Sequence, residues 1–202
     1  MNTNQICIIL CYPDECRNIG SVCRAMANMG FNDLRIVGNN LNYDNQKIQT
    51  LALHAYPIWT NAKFFSSITE ATKDCVLACG TTRRVGKKRK NWLLTPEEFV
   101  LHCHKTVKNA KVALVFGNER TGLTDEELTE CTIGVTIPSH DDFPSLNLSH
   151  AVQIMCYEFF KFSHKMNKSS SYTPITLERL NKTVKHISEN QKKIGFFSFE
   201  LS

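Results

Sequence analysis

The chain has 202 residues, 42% of them hydrophobic, enough for one domain with a sizeable core and a short extension. Its formal net charge of +5 suits an anionic partner but is too mild to define one. No apolar run is long enough to span a bilayer, and Met1–Leu10 has neither a basic n-region nor a cleavage site, so a cytoplasmic protein without a membrane partner is expected.

Ile6 to Leu10 reads as a buried strand, and Asn18 to Met29 as a helix with Val22, Met26 and Met29 on one face and Gly30 as its stop. Leu34 to Val37 is a second strand, followed by a short helix from about Asn45 to Ala55 that ends near Pro57. Cys75 to Cys79 is a strand ending at Gly80. Thr95-Pro96-Glu97-Glu98 is a capping box with proline at the first helical position, predicting a helix to about Lys105. Val112 to Phe116 is a strand ending at Gly117, and Thr124-Asp125-Glu126-Glu127 is a second capping box. Ile133 to Ile137 is the last strand; a long helix over Asn147 to Ser163 then buries Leu148, Val152, Met155, Cys156 and Phe159. Strands alternating with helices imply an α/β fold, a mostly parallel sheet with helices on both faces. Residues 1–164 form this domain, the polar stretch 165–174 a linker, and 175–202 a helical extension with Leu177, Leu180, Val184 and Ile187 at helical spacing.

The nine cysteines are odd in number, form no CxxC pairs and lie partly in apolar runs (Cys7, Cys75, Cys156), so they read as free buried thiols. His102, Cys103 and His104 are too close along one helix to converge on a metal, and no metal is expected.

In open parallel sheets, ligands bind beyond the carboxyl ends of strands. Three loops start at such ends: Gly80-Thr81-Thr82-Arg83, Gly117 to Leu123, and Pro138 to Asn147. There is no GxxxxGK[ST] phosphate loop and no GxGxxG fingerprint, which argues against an NTPase or a Rossmann dehydrogenase. After Ile6–Leu10 comes Cys11-Tyr12-Pro13-Asp14-Glu15-Cys16, without the glycine-rich turn of the common Rossmann-type methyltransferases.

Three ordered segments carry a family resemblance. Asn18-Ile19-Gly20-Ser21-Val22-Cys23-Arg24-Ala25-Met26, Leu114 to Leu123 (LVFGNERTGL), and Ile137-Pro138 with Ser145-Leu146-Asn147-Leu148-Ser149-His150-Ala151-Val152 resemble the three motifs of the TrmH-like SPOUT RNA 2′-O-methyltransferases. The match runs over about residues 5 to 162, and Gly80-Thr81-Thr82-Arg83 with Asp125-Glu126-Glu127-Leu128 look closest to the TrmJ branch, which methylates the 2′-hydroxyl of nucleotide 32 in the tRNA anticodon loop.

The resemblance implies a trefoil knot at roughly residues 112 to 160, a homodimer whose sites draw on both subunits, and S-adenosylmethionine as methyl donor. It implies cofactor contacts at Thr81, Thr82, Arg83, Gly117, Ile137, Pro144, Ser145 and Leu146; Pro144 stands where that branch often has serine, and it lacks an N–H to donate. It assigns activation of the ribose hydroxyl to Arg24. Because arginine stays protonated, Arg24 could instead clamp a phosphate beside that hydroxyl. Glu119 is a second candidate base, or a structural partner of Arg83 or Arg120. Asn18, Ser145 and Asn147 suit orientation of ribose, phosphate or Arg24; equally, Asn18 could cap the first helix, and Ser145 and Asn147 could start the long one. Arg83, Arg84, Lys87, Lys88, Arg89 and Lys90 crowd one loop before Trp92 and, beside a cofactor site, read as an RNA phosphate-tracking surface. The expected activity is tRNA 2′-O-methylation at position 32. The alternatives are another tRNA position, rRNA, or, from another class, an RNA-binding module without turnover.

Overall fold

The computed structural model describes residues 2–38, 43–83, 93–107, 109–164 and 176–195. The basic residues Arg84, Lys87, Lys88, Arg89 and Lys90, with Trp92, and the linker at 165–174 lie outside the described residues. By its contacts the chain divides into two units, Met1–Lys165 and Met166–Ser202.

The first unit is built on six parallel strands: β1 (Ile6–Cys11), β2 (Asp33–Val37), β3 (Lys63–Phe65), β4 (Cys75–Thr81), β5 (Lys111–Phe116) and β6 (Ile133–Val135), in spatial order β3-β2-β1-β5-β4-β6. The central strands are buried on both faces, as parallel strands covered by helices must be. Alternate residues feed two cores. Ile6, Ile8 and Leu10 of β1, with Val112, Leu114 and Phe116 of β5, join one; Cys7, Ile9, Cys11, Ala113 and Val115 join the other.

The two cores differ in the side chains that fill them. The first packs under α1 (Cys16–Asn28), α2 (Asn45–Ala52), α3 (Tyr56–Thr60), α5 (Pro96–Thr106) and α7 (Leu148–Ser163), where Phe99 meets Phe159 edge to face at 6.0 Å. The second is rich in Cys and Ala and needs only the short helices α4 (Ile68–Ala71) and α6 (Asp125–Thr129). None of the nine cysteines forms a disulfide; seven are buried, and burial pushes the Cys23 and Cys103 thiols up to about 12. The neighbour of Cys103, His104, lays its ring on Phe162 at 4.1 Å.

Both predicted capping boxes form, at Thr95/Glu98 and Thr124/Glu127. α1 begins two residues earlier than the pattern suggested: Glu15 is its cap, accepting the Arg17 N–H at 3.1 Å, and Asn18 lies in the first turn. The short edge strand β3 and helices α3 and α4 were not anticipated from the sequence. β6 is bonded along both edges. Cys79 to Thr81 pair with it on one side, and on the other Leu94 donates to the Gly134 carbonyl (3.1 Å) and accepts from Thr136 (2.9 Å). The second unit contains α8 (Leu177–Lys193), capped by Thr176, with Leu180, Val184 and Ile187 exposed.

At the amino ends of the strands, Arg35 is only 3% exposed yet fully bonded. Its guanidinium donates to Asp33 (2.8 and 3.2 Å), to the Ala71 carbonyl (2.6 Å) and to both oxygens of Asp74; Lys111 Nζ joins Asp33 at 3.1 Å and Asp74 at 3.2 Å. Burial pushes the Asp33 carboxyl up, but the hydrogen bonds from Arg35 and Lys111 outweigh it and leave its pKa lowered. The hydrogen bond from Arg35 likewise holds Asp74 well below the usual carboxylate range. A carboxylate with a depressed folded pKa stabilises the fold above its unfolded value, about 3.9, and that stability is lost as pH falls through the folded value. We expect Arg35→Met to cost about 2–3 kcal/mol in urea unfolding at neutral pH, less than for a fully buried network because half-exposed Asp74 can turn to solvent. The variant should also lose much of the wild type's decline in stability below about pH 4. An unchanged unfolding midpoint would show that the network contributes nothing.

Candidate functional site

At the opposite, carboxyl end of the sheet, the loops after β4, β5 and β6 meet around a cleft of about 170 Å³. Thr81, Thr82 and Arg83 come from the first loop, Gly117 to Leu123 from the second, and Ile137, Pro144, Ser145 and Leu146 from the third; Phe116, Leu148 and Ala151 complete the wall. Every residue named for cofactor contact in the sequence is therefore brought to one cavity.

Local bonding explains why the loops converge. Thr81 Oγ1 donates to the Val115 carbonyl at 3.0 Å, tying the end of β4 to β5, and the Thr82 N–H donates to Val135 at 2.9 Å, tying it to β6. Gly117 opens a tight return. A Cβ added there would lie 2.1 Å from the Gly122 carbonyl carbon and from the Leu123 nitrogen, so only glycine leaves room for the backbone to fold back. Asn118 closes that return by accepting the Gly122 N–H on its carbonyl (2.8 Å) and the Arg120 N–H on its side chain (2.9 Å). In the third loop Ser139 Oγ donates to the Pro144 carbonyl at 3.0 Å, so the group proline retains is already used in shaping the loop.

A polar chain joins the three motifs. The Glu119 carboxylate accepts the N–H groups of Asp14 (3.0 Å) and Glu15 (3.3 Å) and the Asn18 amide (3.1 Å). Asn18 Oδ1 in turn accepts from Asn147 Nδ2 at 2.9 Å, and Asn147 Oδ1 caps α7 through the Ser149 N–H at 2.8 Å. Asn147 thus both starts the long helix and holds Asn18. The ion pair of Arg120 is with Asp14, at 3.7 Å, rather than with Glu119. Arg83 and Ser145 are exposed at the cleft. Arg24 is also exposed, on α1, and is not among the cleft-lining residues. Among the described residues no group of three His, Cys, Asp or Glu side chains is placed to hold a metal ion, and no helix is long and apolar enough to cross a membrane.

A small-molecule cleft of backbone, hydroxyl and apolar groups at the carboxyl ends of a parallel sheet, closed by a helix from a later motif, defines an α/β ligand-binding domain. The chain belongs to the SpoU rRNA Methylase family, whose model matches residues 5–157. A tRNA (cytidine-2′-O-)-methyltransferase TrmJ of Methanocaldococcus jannaschii is 37% identical over 158 residues, covering 77% of this chain and 67% of that protein. The chain spans roughly 60–69% of the length of the curated relatives it matches. Among solved structures, a methylase family protein of Haemophilus influenzae Rd KW20 superposes with a TM-score of 0.74 at 33% identity, covering 98% of this chain and 83% of that one. The SpoU methyltransferase AviRb of Streptomyces viridochromogenes, solved with AdoMet, shares the fold at a TM-score of 0.63 and 20% identity, covering 81% of this chain and 62% of that one.

Three features escaped sequence reasoning: the bracket formed by Glu119 and the backbone of residues 14 and 15, the Asn18–Asn147 bond, and Tyr12. Each depends on contacts between segments 104 to 129 residues apart, which no local pattern signals.

Proposed function

We propose that this chain is a cytoplasmic RNA 2′-O-methyltransferase that uses S-adenosylmethionine on tRNA, with nucleotide 32 of the anticodon loop as its target. The observation that carries the reading is the convergence of the loops after β4, β5 and β6 on one cleft, the last two belonging to the second and third motifs, with Asn18 of the first motif bonded to Glu119 and Asn147. Identity of 37–40% to curated relatives, most of them tRNA 2′-O-methyltransferases, supports tRNA over other RNA.

The cleft fits the methyl donor chemically. Phe116, Ile137, Leu146 and Leu148 offer apolar surface to adenine, the bare Gly117 backbone allows close approach, and Thr82 and Ser145 offer hydroxyls. Bound there, S-adenosylmethionine supplies an activated methyl group for in-line transfer. The chain's own residues then have to place a ribose hydroxyl, whose proton passes to water as the methyl is transferred, and positioning alone is worth roughly 7–11 kcal/mol of barrier. Arg24 clamps a phosphate beside that hydroxyl and stabilises the developing oxyanion. Glu119 acts as a positioning residue: three N–H donors occupy its carboxylate, so its role is to hold the loop before α1 and to aim Asn18. Arg83 and the basic residues that follow it track the RNA backbone.

The active unit is a homodimer joined through α1 and α7, and its knot runs through residues 112–160.

The gene's deletion tests the reading directly. Cellular tRNA and rRNA, digested and analysed by mass spectrometry, should lose one ribose methylation, at tRNA position 32. Loss at a different tRNA or rRNA nucleotide would move the substrate. Survival of every ribose methylation would overturn the activity.

A further inference from the structure

Tyr12 combines features that ordinary packing does not account for. Among the described non-glycine residues only it and Leu53 have positive φ, here 48°, a conformation costly for a bulky side chain. The surroundings hold it there. Its N–H donates to the Val37 carbonyl at 2.8 Å, and its own carbonyl accepts from Asn118 Nδ2 at 2.7 Å. Its ring rests on Gly38, where an added Cβ would come within 3.0 Å of Cδ1, yet Tyr12 remains 49% exposed. A strained backbone that presents a half-open aromatic ring, tied to a residue of the cleft wall, is the kind of outlier that collects at binding sites.

We propose that Tyr12 is a stacking platform for a nucleobase of the RNA substrate beside the methylated ribose; this rests on the RNA-methylation reading above. The neighbouring side chains select the partner's chemistry. Asp14 and Glu15 follow in sequence and are exposed, so the spot disfavours phosphate and suits the uncharged face of a base, while Arg120, paired to Asp14, offsets part of that charge. Gly38 seats the ring on one side, and about half of the residue is exposed, as a platform requires.

The test uses the full chain, labelled S-adenosylmethionine and total tRNA from cells lacking the gene. Tyr12→Ala and Tyr12→Gly should raise KM for tRNA, and the Kd by fluorescence anisotropy, about 5- to 100-fold, while Tyr12→Phe stays within about twofold of wild type. Affinity for S-adenosylmethionine and kcat at saturating tRNA should hold. Tyr12→Gly should melt at or above the wild-type temperature, since glycine adopts the positive φ freely. The proposal fails if Tyr12→Ala binds tRNA like wild type, or if Tyr12→Phe is as defective as Tyr12→Ala. It fails equally if the loss tracks a lower melting temperature or an altered native mass, which would make the ring a packing or subunit contact. Should wild type bind tRNA but methylate none, the methylation reading falls, and the anisotropy series still decides the platform.

Discussion

Gly117→Ala is expected to weaken S-adenosylmethionine binding about 100-fold in titration calorimetry and to lower stability by about 1–3 kcal/mol, the usual cost of forcing a methyl group into packed structure. The clash is with backbone, 2.1 Å from the Gly122 carbonyl carbon and the Leu123 nitrogen, so no rotamer change relieves it. The return of the loop must open, and Asn118, Glu119 and the residues they anchor move with it. Gly122→Ala is the informative companion. There a methyl group meets nothing within 4 Å, but φ is +66°, so the cost is strain alone, about 1–2 kcal/mol, with the wall left in place. Binding should therefore fall far more in the first variant than in the second. Equal and small effects, within about threefold, would mean that the cleft is not where the methyl donor binds.

How much of this was legible in the sequence follows from the range of each interaction. Thr95/Glu98 and Thr124/Glu127 announce their helices because a capping box closes within four residues. The strands of the sheet centre announce themselves as short apolar runs because both of their faces are buried. β3 was missed because Lys63-Phe64-Phe65 is an edge strand of three residues with two of them exposed, leaving no pattern to read. Arg35 was missed for a different reason: a lone arginine in a strand looks like a surface residue until Asp33, Asp74, Lys111 and the Ala71 carbonyl are found around it. The loops of the cleft were reachable from the strand pattern, since ligands bind beyond the carboxyl ends of parallel strands, but the individual cofactor contacts only through the family resemblance. What the resemblance could not supply was the division in setting between Glu119, bound by three donors, and Arg24, exposed on α1.

That division leads to the second large effect. Arg24 follows Asn18 by six residues on α1, about 9 Å further along the axis and turned by about 240°. With Asn18 directed at Glu119, Arg24 is carried away from its own chain's cleft, where it is not a lining residue. If Arg24 is the clamp, it serves the cleft of a second copy. Arg24→Ala should then lower kcat by about 10²–10³-fold while leaving S-adenosylmethionine affinity intact, the loss typical of removing one charge-stabilising donor. Gly117→Ala should be inactive for the opposite reason, with its arginine sound and its cleft shut. Co-expressed with separate tags, the two inactive chains should restore about a quarter of wild-type activity, because half of the random dimers are mixed and each mixed dimer holds one intact site of two. Recovery requires that the clamp and the cleft come from different subunits. A purified mixed dimer no more active than its parents would instead confine the reaction to a single chain and remove Arg24 from the shared site.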